Sequence, residues 1–289
     1  MSTSAAMKRP EPQAPERIPM MSRQEFYASI GGLDKPVIFV DAMKDWPSTA
    51  KWTFDYFRDA HGDKEVTVEW LKYAHGDKTS VKRTGTVKKV KLREYVDALK
   101  ARNEPEVGYL IGKDMYAVLP ELLGDLRFPN YASQKRLTEQ LFFMGPKGSF
   151  TQLHLDRAHN LHAQIVGSKQ WQLYSPARDA QLRPRKLDFV WSVVSEYDLV
   201  PGGGDPDVLP NGVTPDYDFT LEAGEILYVP YGWWHRVLTT EASISTNLWW
   251  WTYSMLGRIG PVLVPSLAKG FVKGLKKKSI RRGYYGDKG

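Results

Sequence analysis

The chain contains no cysteine, which excludes disulfides, thiolate metal sites and cysteine nucleophiles together. It has no apolar run approaching membrane-spanning length and no signal-peptide-like apolar core near its start, so the expected setting is cytoplasmic. Internal repeats are absent as well, which sets aside solenoids and propellers. An excess of one charge is missing from most of the sequence. Residues 266–289 hold eight Lys or Arg and one Asp, which accounts for the whole net charge of +7 and leaves the remainder neutral. What the chain does have is material for a core: 289 residues, 42% of them hydrophobic, fit one domain with helical additions better than two independent domains.

Against that background a divided triplet stands out. His154 and Asp156 lie in Thr-Gln-Leu-His-Leu-Asp (151–156), and His235 ends Gly-Trp-Trp-His (232–235). Leu153 and Leu155 alternate with Gln152, His154 and Asp156, so the polar set falls on one face of a strand. The two ligand-type side chains would stand about 7 Å apart along it. They can converge on one ion if a third ligand arrives from another strand. His235 is placed to supply it, after the strand-forming run Glu225-Ile-Leu-Tyr-Val-Pro230 and a short turn. Two histidines and one carboxylate on one face of a metal leave the opposite positions open, which suits non-haem Fe(II) that binds a co-substrate and O2 together.

Each candidate has a plainer alternative. His-x-Asp pairs occur by accident on surface strands. His61 and His75 each precede Gly in charged, turn-like sequence and read as solvated loop residues. His159 has no partner at useful spacing and reads as structural. His162 shares strand parity with Asn160 and Gln164, and is either a pocket-lining residue or a core one. A lysine just after a turn, as Lys169 follows Gly167-Ser168, is ordinarily a solvated charge.

The context beyond the pair decides between these readings. Asp156 to Pro176 reads as two strands joined at Gly167-Ser168. Here the chain resembles the JmjC and cupin-like Fe(II)- and 2-oxoglutarate-dependent oxygenases, nearest in motif to the branch containing the asparaginyl hydroxylase of hypoxia-inducible factor. Thr151, His154, Asp156, Asn160, Gly167 and Lys169 match the family pattern in residue and spacing. Lys35-Pro-Val-Ile-Phe-Val, Trp46-Pro and Trp52-Thr-Phe resemble the opening of such domains, and Tyr109-Leu-Ile-Gly resembles the strand that places a co-substrate tyrosine. Leu221 to His235 and Ser243 to Trp250 resemble the distal-ligand segment and the closing strand, with Glu225 standing where Asp is more usual.

The resemblance implies a mainly β fold, a double-stranded β-helix (a jelly-roll or cupin-like barrel) with flanking α-helices. It implies Fe(II) held by His154, Asp156 and His235, and 2-oxoglutarate held by Lys169, Thr151 and Tyr109, with Asn160 and Asn247 as polar neighbours. An ammonium suits the far carboxylate as a point charge, and hydroxyl donors suit the same group. Thr151 has the opposite strand parity to His154, so a bend is required to bring both to one pocket. The reaction implied is hydroxylation of a substrate carbon, coupled to oxidative decarboxylation of 2-oxoglutarate to succinate and CO2 with O2. No protein nucleophile is needed. Hydroxylation is favoured over demethylation by the branch matched. The substrate class stays open among protein or peptide, small molecule, glycolipid and RNA. Rival readings are a non-catalytic cupin-like binding protein and a metal-dependent isomerase or hydrolase.

Residues 1–20, with Pro10, Pro12, Pro15 and Pro19, read as a disordered segment, 21–252 as the catalytic domain and 253–289 as a basic extension. A helix is expected from the capping-box spacing Ser22-Arg-Gln-Glu25 to Gly31-Gly32, and a strand at 37–40. Residues 52–60 and 91–101 read as helices, the second with a Leu92, Val96, Leu99 core stripe. Strands dominate beyond residue 140, interrupted by a loop at Pro201–Pro206. In the extension Leu267, Phe271 and Leu275 recur among lysines in the pattern of a basic amphipathic helix. Three readings of residues 266–289 compete: a helix docked on the barrel or on a second subunit of a homodimer, peripheral attachment at the inner face of an anionic membrane, and, with Lys82 to Arg93, a nucleic-acid patch. Trp249 to Trp251 read as barrel core or as a stacking surface.

Overall fold

The computed structural model describes residues 13–29, 34–75, 81–101, 107–112, 114–131, 137–184, 192–197, 209 and 211–252. Two sheets form its centre. The larger runs β1 (Glu16–Pro19), β2 (Val37–Val40), β12 (Ile226–Val229), β8 (His159–Val166), β14 (Ser243–Trp250), β6 (Leu137–Gly145), β5 (Leu110–Gly112). The smaller runs β10 (Ser192–Val194), β7 (Phe150–Asp156), β13 (Trp234–Thr239), β9 (Lys169–Tyr174), β11 (Tyr217–Leu221). Apart from β1 on β2, all these pairs are antiparallel. A separate ribbon pairs β3 (Glu65–His75) with β4 (Val81–Lys91) and touches the main body where Glu69 and Tyr109 exchange backbone hydrogen bonds of 3.0 and 2.8 Å.

The period-two pattern of each strand sorts its side chains into layers. Inward residues of both sheets, among them Ile38, Trp171, Leu173, Leu227, Val229 and Val237, pack together as the barrel interior. The outer face of the larger sheet, with Phe39, Phe142, Leu161, Tyr228 and Trp250, is covered by helical segments. These are α1 (Arg23–Ser29), α2 (Pro47–Lys51), α3 (Phe54–His61), α4 (Leu92–Ala101) and α5 (Asp114–Val118). Each fully buried Leu or Phe in this layer contributes roughly 1.5–3 kcal/mol. Leu92, Val96 and Leu99 are buried on one side of α4, as their spacing predicts. The outer face of the smaller sheet is closed by Leu153, Leu155, Trp234 and Leu182. This is a mainly β, cupin-like barrel with flanking helices.

Several local signals act as read. Ser22 and Glu25 form a reciprocal capping box: the Ser22 amide donates to the Glu25 carboxylate at 2.8 Å, and the Glu25 amide donates to Ser22 Oγ at 3.3 Å. The helix expected over 52–60 starts at Phe54, because Thr53 Oγ1 accepts from the Tyr56 amide at 3.0 Å and caps it.

Other expectations are corrected. Residues 16–19, expected to be disordered, form β1 on the edge of the larger sheet. Arg17 holds that strand by donating from Nε to Glu225 Oε1 at 2.7 Å and from a terminal nitrogen to the Thr220 carbonyl at 3.0 Å. Pro19 is tolerated because an edge strand needs no donor on its open side. The two strands expected either side of Gly167-Ser168 are present, and they lie in different sheets. β8 pairs with β12 and β14, whereas β9 pairs with β11 and β13, so the turn carries the chain from one sheet to the other. Gly167 makes that corner at φ +69°, with a would-be Cβ only 2.2 Å from the Ala242 carbonyl oxygen. His61 is not a loop residue: it ends α3, mostly buried, with Nε2 2.9 Å from Tyr56 Oη. Gly31-Gly32, the loop at 201–206 and the whole extension 253–289 lie outside the described residues.

Candidate metal centre

The barrel interior is arranged in tiers, because residues paired across antiparallel strands share a face. His154 of β7 pairs with His235 of β13, which pairs with Leu173 of β9. The next inward row is Thr151, Val237 and Trp171, and beyond it Thr239 pairs with Lys169. On the facing sheet the corresponding rows are Asn160 with Trp249, then His162 with Asn247, then Gln164 with Ser245 and Phe143.

The required bend is a β-bulge in β7. Pairing steps from His235 to Val237 on β13 but from His154 to Thr151 on β7, so two residues, Gln152 and Leu153, oppose the single Arg236. The extra residue inverts the alternation and turns Thr151 to the same side as His154. Leu153 and Leu155 remain outside, in the apolar cluster with Trp234.

His154, Asp156 and His235 offer one ligand atom each within 4.8 Å of one another, and all three are buried. His154 Nε2 lies 3.8 Å from Asp156 Oδ1, and His235 Nε2 lies 3.5 Å from Asp156 Oδ2. Each imidazole has its other nitrogen on a backbone carbonyl two residues earlier: His154 Nδ1 is 2.7 Å from the Gln152 oxygen, and His235 Nδ1 is 3.1 Å from that of Trp233. A carbonyl can only accept, so both Nδ1 atoms carry the proton and both Nε2 lone pairs face the shared position. Ser192 Oγ donates to Asp156 Oδ1 at 2.7 Å, and the Trp171 ring stacks on His235 at 5.7 Å.

The electrostatics point the same way. Burial pushes the Asp156 carboxyl above its ordinary value against the pull of His154 and Ser192. Burial, reinforced by His154, pushes His235 well below its ordinary value. A carboxylate buried beside two imidazoles is costly in a dry interior, and a dication at the shared position offsets that cost. The donor set therefore fits a divalent first-row metal with open coordination positions.

At the other end of the tiers Lys169 is 1% exposed. Its ammonium donates to Ser245 Oγ at 2.7 Å and Tyr109 Oη at 3.1 Å, and it lies 5.1 Å from the Phe143 ring centre. Among the described residues it has no carboxylate partner, and burial lowers its pKa to about 7. A buried ammonium with only hydroxyl partners is set to receive an anion. Asn160 is buried with its Oδ1 unpartnered, whereas Asn247 Oδ1 already accepts from the Leu141 amide at 3.1 Å.

Thus Thr151, Tyr109, Lys169, Asn160 and Asn247 share one interior with the metal-ligand triplet. His159 faces the other side of β8 and is held by the Tyr228 hydroxyl at 2.9 Å and the Tyr231 amide at 3.3 Å, a structural role as read. Trp250 is core, and Trp249 turns inward. Sequence reasoning missed Ser245 and Ser192. The alternation Ser243, Ser245, Asn247 could have revealed Ser245, while nothing local marks Ser192.

Comparison with known proteins agrees with this geometry. Residues 23–254 match the family described as "Cupin-like domain". The chain belongs to that family, a JmjC-type group of oxygenases that depend on Fe(II) and 2-oxoglutarate and consume O2. It is 29% identical over 222 residues to lysine-specific demethylase 8 of Xenopus tropicalis, covering 75% of this chain and 48% of that protein. It is also 29% identical over 251 residues to tRNA wybutosine-synthesizing protein 5 of Homo sapiens, covering 81% of this chain and 76% of that one. The chain thus spans about half the length of the first relative. An X-ray structure of E. coli ycfD shares the fold with a TM-score of 0.52 at 16% identity, over 94% of this chain and 62% of that one. Among the described residues no helix is long and apolar enough to cross a membrane.

Proposed function

We propose that this protein hydroxylates a carbon of its substrate as an Fe(II)- and 2-oxoglutarate-dependent dioxygenase, with His154, Asp156 and His235 as the metal ligands and Lys169 as the co-substrate anchor. The observation that carries the reading is the pairing of an open-faced ligand triplet with a buried ammonium that has no carboxylate partner among the described residues, two tiers apart in one interior. Lys169 lies four residues along β9 from the His235 level, roughly 13 Å of strand. Allowing for the reach of the lysine side chain, that span suits a short dicarboxylate between metal and ammonium.

When bound, Fe(II) and 2-oxoglutarate supply O2 activation, with the co-substrate leaving as succinate and CO2. The chain's own groups bind, orient and exclude water. Lys169 pairs with the far carboxylate as a point charge, and Tyr109 and Thr151 add hydroxyl donors to it. The Gln152 and Trp233 carbonyls keep both histidine rings turned to the metal position, and Ser192 fixes one oxygen of Asp156. Asn160 stands in the metal tier with a free acceptor. Leu173, Val237, Leu227 and Val229 keep the surroundings dry, which strengthens each of these interactions.

Removing an N-methyl group begins with hydroxylation of its carbon, so the demethylase name of one relative and the hydroxylase reading share their first step. Substrate choice is set outside these tiers, and an RNA or a protein substrate are both in keeping with the named relatives. The test is succinate formation from 2-oxoglutarate with Fe(II) and ascorbate, followed by mass spectrometry of candidate peptides, RNAs and metabolites for the gain of one oxygen. Absence of both succinate formation and tight Fe(II) binding would leave a non-catalytic barrel instead.

A further inference from the structure

The inward face of β8 leaves one polar side-chain atom without a hydrogen-bond partner at three successive positions: Asn160 Oδ1, His162 Nε2 and Gln164 Oε1. Across the interior Trp171 Nε1 is unpartnered as well. A buried donor left in this state is costly, and the two ring nitrogens among these that can donate, His162 Nε2 and Trp171 Nε1, mark a place that an anion would satisfy. Asn160 belongs to the metal tier. His162 is 4% exposed and has no part in the ligand set or the anchor described above.

Its position is defined from several sides. The His162 ring meets Trp171 edge-on at 4.9 Å and lies 5.8 Å from Phe143, the same ring that lies 5.1 Å from the Lys169 ammonium. His162 pairs with Asn247, one inward step from Ser245, which accepts from Lys169. The imidazole therefore stands in the middle tier, beside the ammonium and between it and the metal ligands.

We infer that His162 is a direct co-substrate ligand, donating from Nε2 to the carboxylate that Lys169 pairs with, and that Trp171 Nε1 closes the same cavity as a second donor. This rests on the 2-oxoglutarate reading above and deepens it, because a point charge alone reads neither the length nor the orientation of a dicarboxylate. A ring N–H on a fixed wall reads both. Burial and the nearby Lys169 charge lower the His162 pKa well below its ordinary value, against a weaker opposing pull from the Gln164 side chain, so with its proton on Nε2 the ring donates without adding a second cation.

Calorimetry on the full chain loaded with redox-silent Mn(II) tests this, comparing 2-oxoglutarate binding to wild type, His162→Phe and His162→Gln. Loss of a buried hydrogen bond to a charged group should weaken binding to His162→Phe roughly tenfold or more. His162→Gln, which keeps a donor at similar reach, should stay within about threefold of wild type, with Mn(II) affinity unchanged in both. Equal affinity of His162→Phe and wild type would overturn the inference. So would parallel losses in both variants accompanied by weaker Mn(II) binding, which is the mark of a scaffold residue. Failure of wild type itself to bind 2-oxoglutarate would instead remove the oxygenase reading. Independently of any variant, adding 2-oxoglutarate to the Zn(II)-loaded, 15N-histidine-labelled chain should shift the His162 Nε2 resonance, and an unmoved signal would count against direct contact.

Discussion

His159 and His162 stand three residues apart on β8 and are equally buried, at 4% exposure each, but they face opposite sides of the sheet. On the outer face His159 is enclosed by Tyr228, Trp250 and the Tyr231 amide, and its Nδ1 is engaged by protein atoms. On the inner face His162 packs against aromatic rings and keeps Nε2 free. Burial therefore separates neither residue from the other, and completeness of hydrogen bonding does. The outer face has been finished by the fold, whereas the inner face has been left for a ligand to finish.

The largest effects should come from the inner face. Replacing His154, Asp156 or His235 by Ala should lower Mn(II) affinity by more than about 100-fold, beyond the usual effect of losing an outer-shell partner, and abolish succinate formation. His159→Asn should leave Mn(II) affinity, measured by calorimetry, unchanged. A metal loss of similar size in His159→Asn would erase the distinction between the faces.

Next is Lys169→Met, which should retain Mn(II) but lose roughly 100-fold in 2-oxoglutarate affinity, as an ammonium-carboxylate contact in a dry site implies. Its pH signature is specific. The unfolded chain holds the lysine proton up to the ordinary value of 10.5, while the folded, ligand-free chain releases it near 7. The unfolded state therefore binds more protons between those values, and stability must rise with pH across that window. Urea unfolding from pH 7 to 10 should show the rise in wild type and a smaller one in Lys169→Met. Affinity for 2-oxoglutarate should run the other way, falling as pH increases above about 7, since an uncharged amine gives up the pairing.

The outer face should answer in stability alone. His159→Phe should cost about 1–3 kcal/mol in urea unfolding, by removing the ring nitrogen that the Tyr231 amide and the Tyr228 hydroxyl contact, with 2-oxoglutarate affinity intact. The smallest effect is expected from Ser245→Ala. It removes one neutral acceptor from the Lys169 ammonium, and calorimetry should register about fivefold or less in 2-oxoglutarate affinity.

What was legible in the sequence was whatever a short segment fixes by its own periodicity. The shared face of His154 and Asp156, the Ser22 to Glu25 cap and the Leu92, Val96, Leu99 stripe each need fewer than ten residues to be read, and each is found in place. Features that depend on a distant partner were not legible. β1 exists because Arg17 meets Glu225, 208 residues away, and four prolines in the first twenty residues masked it. The turn at Gly167-Ser168 has hairpin chemistry, but the strands it joins find better partners in different sheets. Ser192 reaches Asp156 only through the pairing of β10 with β7. Glu225, which departs from the commoner Asp, gains its meaning from the same Arg17 contact and from accepting the Glu222 amide at 2.9 Å.

The doubled position at Gln152 and Leu153 makes the length of this strand as much a part of the site as its residue types. Deleting either residue would leave Thr151 and His154 two positions apart, matching Val237 and His235 on β13, so both would face inward on a regular strand. At the present length it is the bulge that achieves this: on a regular strand Thr151 would face the apolar layer whenever His154 and Asp156 faced inward. Point substitutions along β7 leave this phase untouched, whereas closing the bulge without a deletion would part the side chains proposed for metal and for co-substrate while altering none of them.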